Sequence, residues 1–216
     1  MKLKQLLNTT VLKSVSCITL SFVTIINVSS FAIASSKAPK SVQYLAQFSE
    51  NTPQERSILI QEINSLFRQE KFTEAEEKLR QFIKKFPQDA FGPYQLGNVL
   101  FSQKKNEEAI KQYEEAIRIN TKYALAHNAL GLVFASQDRW NEAATAYNKA
   151  LEINPKYGDA LTNLAQALWE QGKHKEAIAS LEKAASIFKA ENRPEKYQRV
   201  QRLLQQLNKD KDPSLS

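Results

Sequence analysis

The sequence predicts an all-α fold: a solenoid of about four helical hairpins followed by a C-terminal capping helix. Three observations predict it. Ala75, Ala109, Ala143 and Ala177 stand 34 residues apart without a gap, and a fixed period of this size marks stacked repeats. Within each period, apolar or small residues fall into two sets with i, i+3, i+4, i+7 spacing, so each period holds two one-faced helices. The 216 residues include only 5 Gly and 7 Pro, too few turn residues for an all-β chain.

The first element, residues 1–34, reads as an address. Lys2, Lys4 and Lys13 are followed by a charge-free stretch from Ser14 to Ser36, apolar in part and diluted by Ser and Thr. Ala32-Ile33-Ala34 then supplies a small-x-small site, so the segment is expected to be a signal peptide cleaved after Ala34. The competing expectation is an uncleaved anchor, because residues 14–36 are long enough to span a bilayer. Residues 35–52 read as a linker. Thr52-Pro53-Gln54-Glu55 has capping-box spacing with Pro at the first helical position, which predicts a helix start at Pro53.

Four repeats follow, at 53–89, 90–123, 124–157 and 158–191. Twelve residues before the alanines stand Ile63, Gly97, Gly131 and Ala165. Four after them stand Leu79, Tyr113, Tyr147 and Leu181, and seven after stand Phe82, Ala116, Ala150 and Ala184. Gln69, Gln103, Gln137 and Gln171 keep the same period. Short polar turns such as Lys104-Lys105-Asn106 join the two helices and impose an antiparallel hairpin. Gly97, Ala109, Ala116, Gly131, Ala143, Ala150, Ala165, Ala177 and Ala184 are expected at the packing seam, where small residues let the two backbones approach. A large side chain there would cost roughly 1–3 kcal/mol in overpacking. Ile63 and Phe82 break that rule, so the first hairpin should be splayed or capped differently. Pro87 and Pro155 stop the second helices of their repeats.

Residues 192–209 read as a capping helix. Asn192 to Glu195 repeats the capping-box spacing, and Tyr197, Val200, Leu203, Leu204 and Leu207 form one apolar stripe. No small seam residue recurs there, so the helix closes the stack instead of extending it. Residues 210–216 read as a polar tail.

The pattern Leu96-Gly97…Leu100…Ala109…Tyr113…Ala116 resembles the tetratricopeptide repeat (TPR) family. It recurs as Leu130-Gly131…Phe134…Trp140…Ala143…Tyr147…Ala150…Pro155 and as Leu164-Ala165…Leu168…Ala177…Leu181…Ala184. The resemblance spans residues 56–191; 53–89 is a degenerate copy, and Thr121 stands where the second copy would end in proline. It implies a right-handed α-solenoid whose first helices line a concave groove that binds proteins or extended peptides.

The positions of those helices not needed for packing supply the expected peptide-binding groove: Asn64, Tyr94, Asn98, Phe101, Asn128, Leu132, Thr162, Gln166 and Trp169. Asparagine offers both a donor and an acceptor to a peptide backbone, and the aromatics offer apolar anchors. These positions carry no Lys or Arg apart from Arg68, so no clamp for a terminal carboxylate is expected.

Catalysis has no residue to stand on. No phosphate-binding glycine loop, G-x-S-x-G or H-E-x-x-H occurs. His127 and His174 are expected to pack or to lie at the surface. The helical neighbours Glu114 and Glu115 do not converge on one point. The single Cys, Cys17, lies in the leader, so no metal site and no cofactor are expected. A composition 42% hydrophobic and 25% charged excludes a disordered chain.

The net charge of +7 invites a nucleic-acid reading. Removing Lys2, Lys4 and Lys13 lowers it to +4, and residues 189–212 hold 7 basic against 4 acidic residues. The repeats between are close to neutral and carry no basic stripe, so nucleic acid is not an expected partner, nor is a small-molecule substrate. The expected protein is a non-enzymatic scaffold or assembly factor, exported to the periplasm or an equivalent compartment. The alternative is a signal-anchored structural subunit of a membrane or envelope complex.

Overall fold

The computed structural model describes residues 53–211. The expected signal peptide, the linker and the last five residues of the tail lie outside them. Among the described residues there are nine α-helices and no strand: α1 Pro53–Arg68, α2 Phe72–Lys85, α3 Phe91–Ser102, α4 Asn106–Ile119, α5 Ala124–Ser136, α6 Trp140–Ile153, α7 Gly158–Glu170, α8 His174–Ala190 and α9 Pro194–Lys211. Helices α1/α2, α3/α4, α5/α6 and α7/α8 pair as hairpins, each hairpin packs on the next, and α9 packs on α8. None of these helices is long and apolar enough to cross a membrane.

Each hairpin turns at one left-handed residue. Glu70, Lys104 and Asp138 have φ of 57°, 62° and 58°, and Gly172 has φ of 77°. These residues keep the 34-residue period, yet only the fourth is the glycine that this backbone favours. The turns between hairpins are held by side chains. Asn120 and Asn154 each accept the N–H two residues on at 3.1 Å, and Asp89 accepts the N–H of Phe91 at 3.0 Å.

The seam residues are buried where the period places them. Ala75, Ala109, Ala143 and Ala177 are fully buried, as are Ala116, Ala150 and Ala184. The glycines have a different task from the one expected. Opposite Gly97 and Gly131 lies a tyrosine ring instead of a backbone: a Cβ on either would sit 2.5 Å from Cε1 of Tyr113 or Tyr147. Ile63 and Phe82 are both fully buried, and the ring of Phe82 packs against those of Phe86 and Phe91. The first hairpin absorbs its larger residues by packing its two helices less extensively than the others do.

The recurring glutamines tie neighbouring repeats together. Gln103 Nε2 donates to Glu76 at 3.2 Å, Gln137 Nε2 to Glu107 at 3.1 Å, and Gln171 Nε2 to the Trp140 carbonyl at 3.0 Å. Every acceptor belongs to the second helix of the preceding hairpin. Gln69 has no preceding hairpin among the described residues and donates to Ser65 of α1 at 3.0 Å. Hydrogen bonds from Arg80 and Gln103, with the nearby charge of Lys105, hold the Glu76 carboxyl below the usual carboxylate range despite partial burial.

The C-terminal end differs from expectation in two places. Asn192 is not the N-cap of α9. It has φ of 54° and closes α8, with the Arg193 N–H donating to the Phe188 carbonyl at 2.9 Å, a left-handed helix end of the kind Asn tolerates. The last helix also runs past 209 to Lys211, because no helix breaker intervenes before Pro213.

Candidate protein-binding surface

The first helices α3, α5 and α7 touch in succession and form one side of the stack. Their sequences leave one face outside the hairpin seams, and the expected groove residues other than Asn64, which is on α1, lie there. The structure sorts them into three kinds.

The first kind is engaged within the fold. Asn98 accepts the Tyr113 hydroxyl at 2.8 Å and donates to Gln95 at 2.8 Å. Asn128 is only 6% exposed, and its Oδ1 accepts from Asn163 of α7 at 3.0 Å. The expectation that Asn128 presents its amide to a partner is therefore corrected. Its short side chain is buried where α5 meets α7, and a buried amide must find its partner inside the protein. Thr162 donates to the Gly158 carbonyl at 3.0 Å.

The second kind is aromatic and half-buried. The ring centroid of Tyr94 stands 5.1 Å from that of Tyr123 and 6.1 Å from that of Tyr113. Burial pushes the Tyr123 phenol up to about 12, helped by Tyr94 and Asp89. Tyr157, one repeat further on, is pushed up to about 12 by burial, Tyr94 and Asp159. Phe101 packs against the buried core that includes Leu79, Leu100 and Val133. Trp169 stands 4.1 Å, centroid to centroid, from His174, which is itself exposed at the surface. His127 is half-buried, with Nε2 3.3 Å from the Thr121 carbonyl.

The third kind is open. Leu132 is 38% exposed, Gln166 is exposed, and Asn64 is half-buried on α1.

Thr162, Gln166 and Trp169 meet in a cleft of about 310 Å³ between α7 and α9. Ala165 and Leu181 form its floor, and Arg199, Leu203 and Leu207 of α9 complete it. Sequence reasoning missed the α9 contribution because that helix lies outside the repeat register. One signal was available: the α9 stripe holds more apolar residues than a single neighbouring helix can bury. Only Val200 is fully buried, while Leu203, Leu204 and Leu207 are half-buried. A second, more polar depression of about 450 Å³ lies at the other end, beside Arg56, Asp89 and Tyr123. Arg56 and Asp89 pair there at 2.5 Å. Among the described residues no group of His, Cys, Asp and Glu is arranged to hold a metal ion.

A stack of hairpins joined through a repeated small-residue seam defines a helical repeat protein. Comparison with known families identifies which one. Residues 64–89 and 123–190 match tetratricopeptide repeat models, and residues 97–138 match a TPR repeat model. The chain belongs to the tetratricopeptide repeat family. Among solved structures it is similar to the crystal structure of MamA protein, at 28% identity over 63% of this chain and 75% of that one, with a TM-score of 0.55. It shares the fold of YrrB, described as a TPR protein with an unusual peptide-binding site. There the identity is 20% over 61% of this chain and 68% of that one, and the TM-score is 0.52. It also shares the fold of the first TPR of Spaghetti (RPAP3) bound to the HSP90 peptide SRMEEVD. In that case the identity is 22% over 56% of this chain and 96% of that one, and the TM-score is 0.53. No curated protein sequence matches the chain. The TPR fold is in general a protein-interaction scaffold without catalytic chemistry of its own.

Proposed function

We propose that the protein is a non-enzymatic scaffold or assembly factor acting outside the cytoplasm, and that it binds a segment of a partner protein along the face of α3, α5 and α7. The observation that carries this reading is the half-open row of Tyr94, Leu132, Gln166 and Trp169 on that face, ending in the α7/α9 cleft. The peptide-binding descriptions of YrrB and of the RPAP3 repeat complex support the same use of the fold. The basic start and the Ala32-Ile33-Ala34 site support export.

Site-specific photocrosslinking in the native cell tests it. A crosslinker at Leu132 should capture one recurrent protein partner, whereas one at Lys149 on α6 should not. Equal capture from both positions, or none from Leu132, overturns the reading. The charge-free stretch 14–36 favours a second reading, a retained anchor on a membrane-complex subunit. Carbonate extraction separates the two, because only an anchored chain stays with the membrane.

A further inference from the structure

We propose that the α7/α9 cleft holds an apolar side chain of an acidic partner segment, with a carboxylate of that segment on Arg199. This rests on the scaffold reading and names the chemistry of one of its sites.

The cleft is apolar below and polar above. Ala165 and Leu181 close the floor at 2% exposure each, and Trp169, Leu203 and Leu207 form half-buried walls. A volume of about 310 Å³ is the room of roughly ten waters, enough for a leucine- or phenylalanine-sized anchor. Burying such an anchor removes apolar surface both from itself and from walls that the fold leaves half-covered.

Charge selects the kind of segment. Two of the neighbouring cations of this end already have carboxylates. Lys196 holds both oxygens of Asp159, at 2.5 and 2.6 Å, and Arg193 holds Glu191 at 3.2 Å. Arg199, one turn further along α9, lines the cleft and makes no ion pair among the described residues. A guanidinium beside an apolar slot is matched by a carboxylate next to an apolar side chain. A second copy of this chain fits poorly. A two-fold contact through α9 would bring Arg199 and Arg202 against their own images, and like charges facing each other oppose association.

The test uses the full chain with Trp140→Phe, which leaves Trp169 as the reporter. The probes are three blocked hexapeptides, composed of Glu and Leu, Lys and Leu, or Glu and Ser in equal parts. The Glu/Leu peptide should change Trp169 emission saturably and bind about tenfold more tightly than either other peptide. Arg199→Glu should transfer the preference to the Lys/Leu peptide, and Leu203→Ser should weaken both Leu-containing peptides. Circular dichroism confirms that each variant is folded; because Arg199 is exposed, its variant tests the proposal without disturbing the core. Equal binding of the Lys/Leu peptide, unaltered preference in Arg199→Glu, or equal binding of the Glu/Ser peptide overturns the proposal. Self-association that is lost in Leu203→Ser also overturns it, in favour of a second copy. The outcome is separable from the scaffold reading. Capture at Leu132 without peptide binding removes only the cleft assignment, and peptide binding without capture removes only the wider face.

Discussion

Tyr113 fills the space that a side chain on Gly97 would need. Its Cε1 lies 2.5 Å from the position of a Cβ there, and both residues are buried. Gly131 and Tyr147 repeat the arrangement at the same distance. In the other two repeats the equivalent pairs are Ile63 with Leu79 and Ala165 with Leu181, so a Cβ appears where the partner is leucine. Ring and Cβ compete for one volume. Gly97→Ala in the wild-type background should destabilise by about 1–3 kcal/mol. In a Tyr113→Leu background the same substitution should stabilise, because alanine exceeds glycine in a helix by about 1 kcal/mol. Urea unfolding of the double-mutant cycle reads the change of sign, and additive effects would show that ring and Cβ do not compete.

The hairpin turns predict a gain. Lys104 is held at φ of 62°, which costs an L-residue roughly 1–2 kcal/mol relative to glycine. Part of that is returned by the greater freedom of glycine in the unfolded chain. Lys104→Gly should stabilise by about 0.5–1 kcal/mol, and Gly172→Lys should destabilise by a similar amount. Thermal unfolding of the two variants should move in opposite directions.

The glutamine ties predict a positional effect. Gln171→Ala removes the bond to the Trp140 carbonyl and should cost about 0.5–1.5 kcal/mol. Gln69→Ala removes only a bond within α1 and should stay within about 0.5 kcal/mol. Equal losses in chemical denaturation would mean that the ties between hairpins add nothing beyond local helix stability.

Tyrosine ionisation sets the alkaline limit. Burial raises the phenols of Tyr113, Tyr123, Tyr147 and Tyr157, four of the seven tyrosines. In the unfolded chain each ionises near 10; in the fold Tyr123 and Tyr157 wait until about 12 and the other two later. The stabilisation is whole below pH 10 and is lost as pH rises through the folded values. Phenolate absorbance should therefore rise in two stages, the second coinciding with loss of helical circular dichroism. In Tyr147→Phe, stability should fall less steeply with pH above 10.

The fold was legible because packing residues recur at one spacing, so Ala109 and Ala143 could each be read from the other. The groove was legible only in outline. Asn98 and Asn128 are surface-facing by helical period, but their amides are claimed by Tyr113 and Asn163, which come from other helices. A period within one helix carries no information about such partners. Arg199 and Leu203 were missed for a related reason: α9 obeys no repeat, and its register against α7 is set by tertiary packing. Asn192 was misread because a residue suited to begin one helix is also suited to end another.

The ties made by Gln103, Gln137 and Gln171 have a mechanical consequence. Each joins one hairpin to the hairpin before it and to nothing further away, so no single bond spans the stack. Pulled from its two ends, such a chain has no long ladder to shear at once. It should peel in steps the length of one hairpin, at modest force, and re-form against whichever neighbour is still folded. The first hairpin, whose two helices pack least extensively on each other, is the natural place for the peeling to begin.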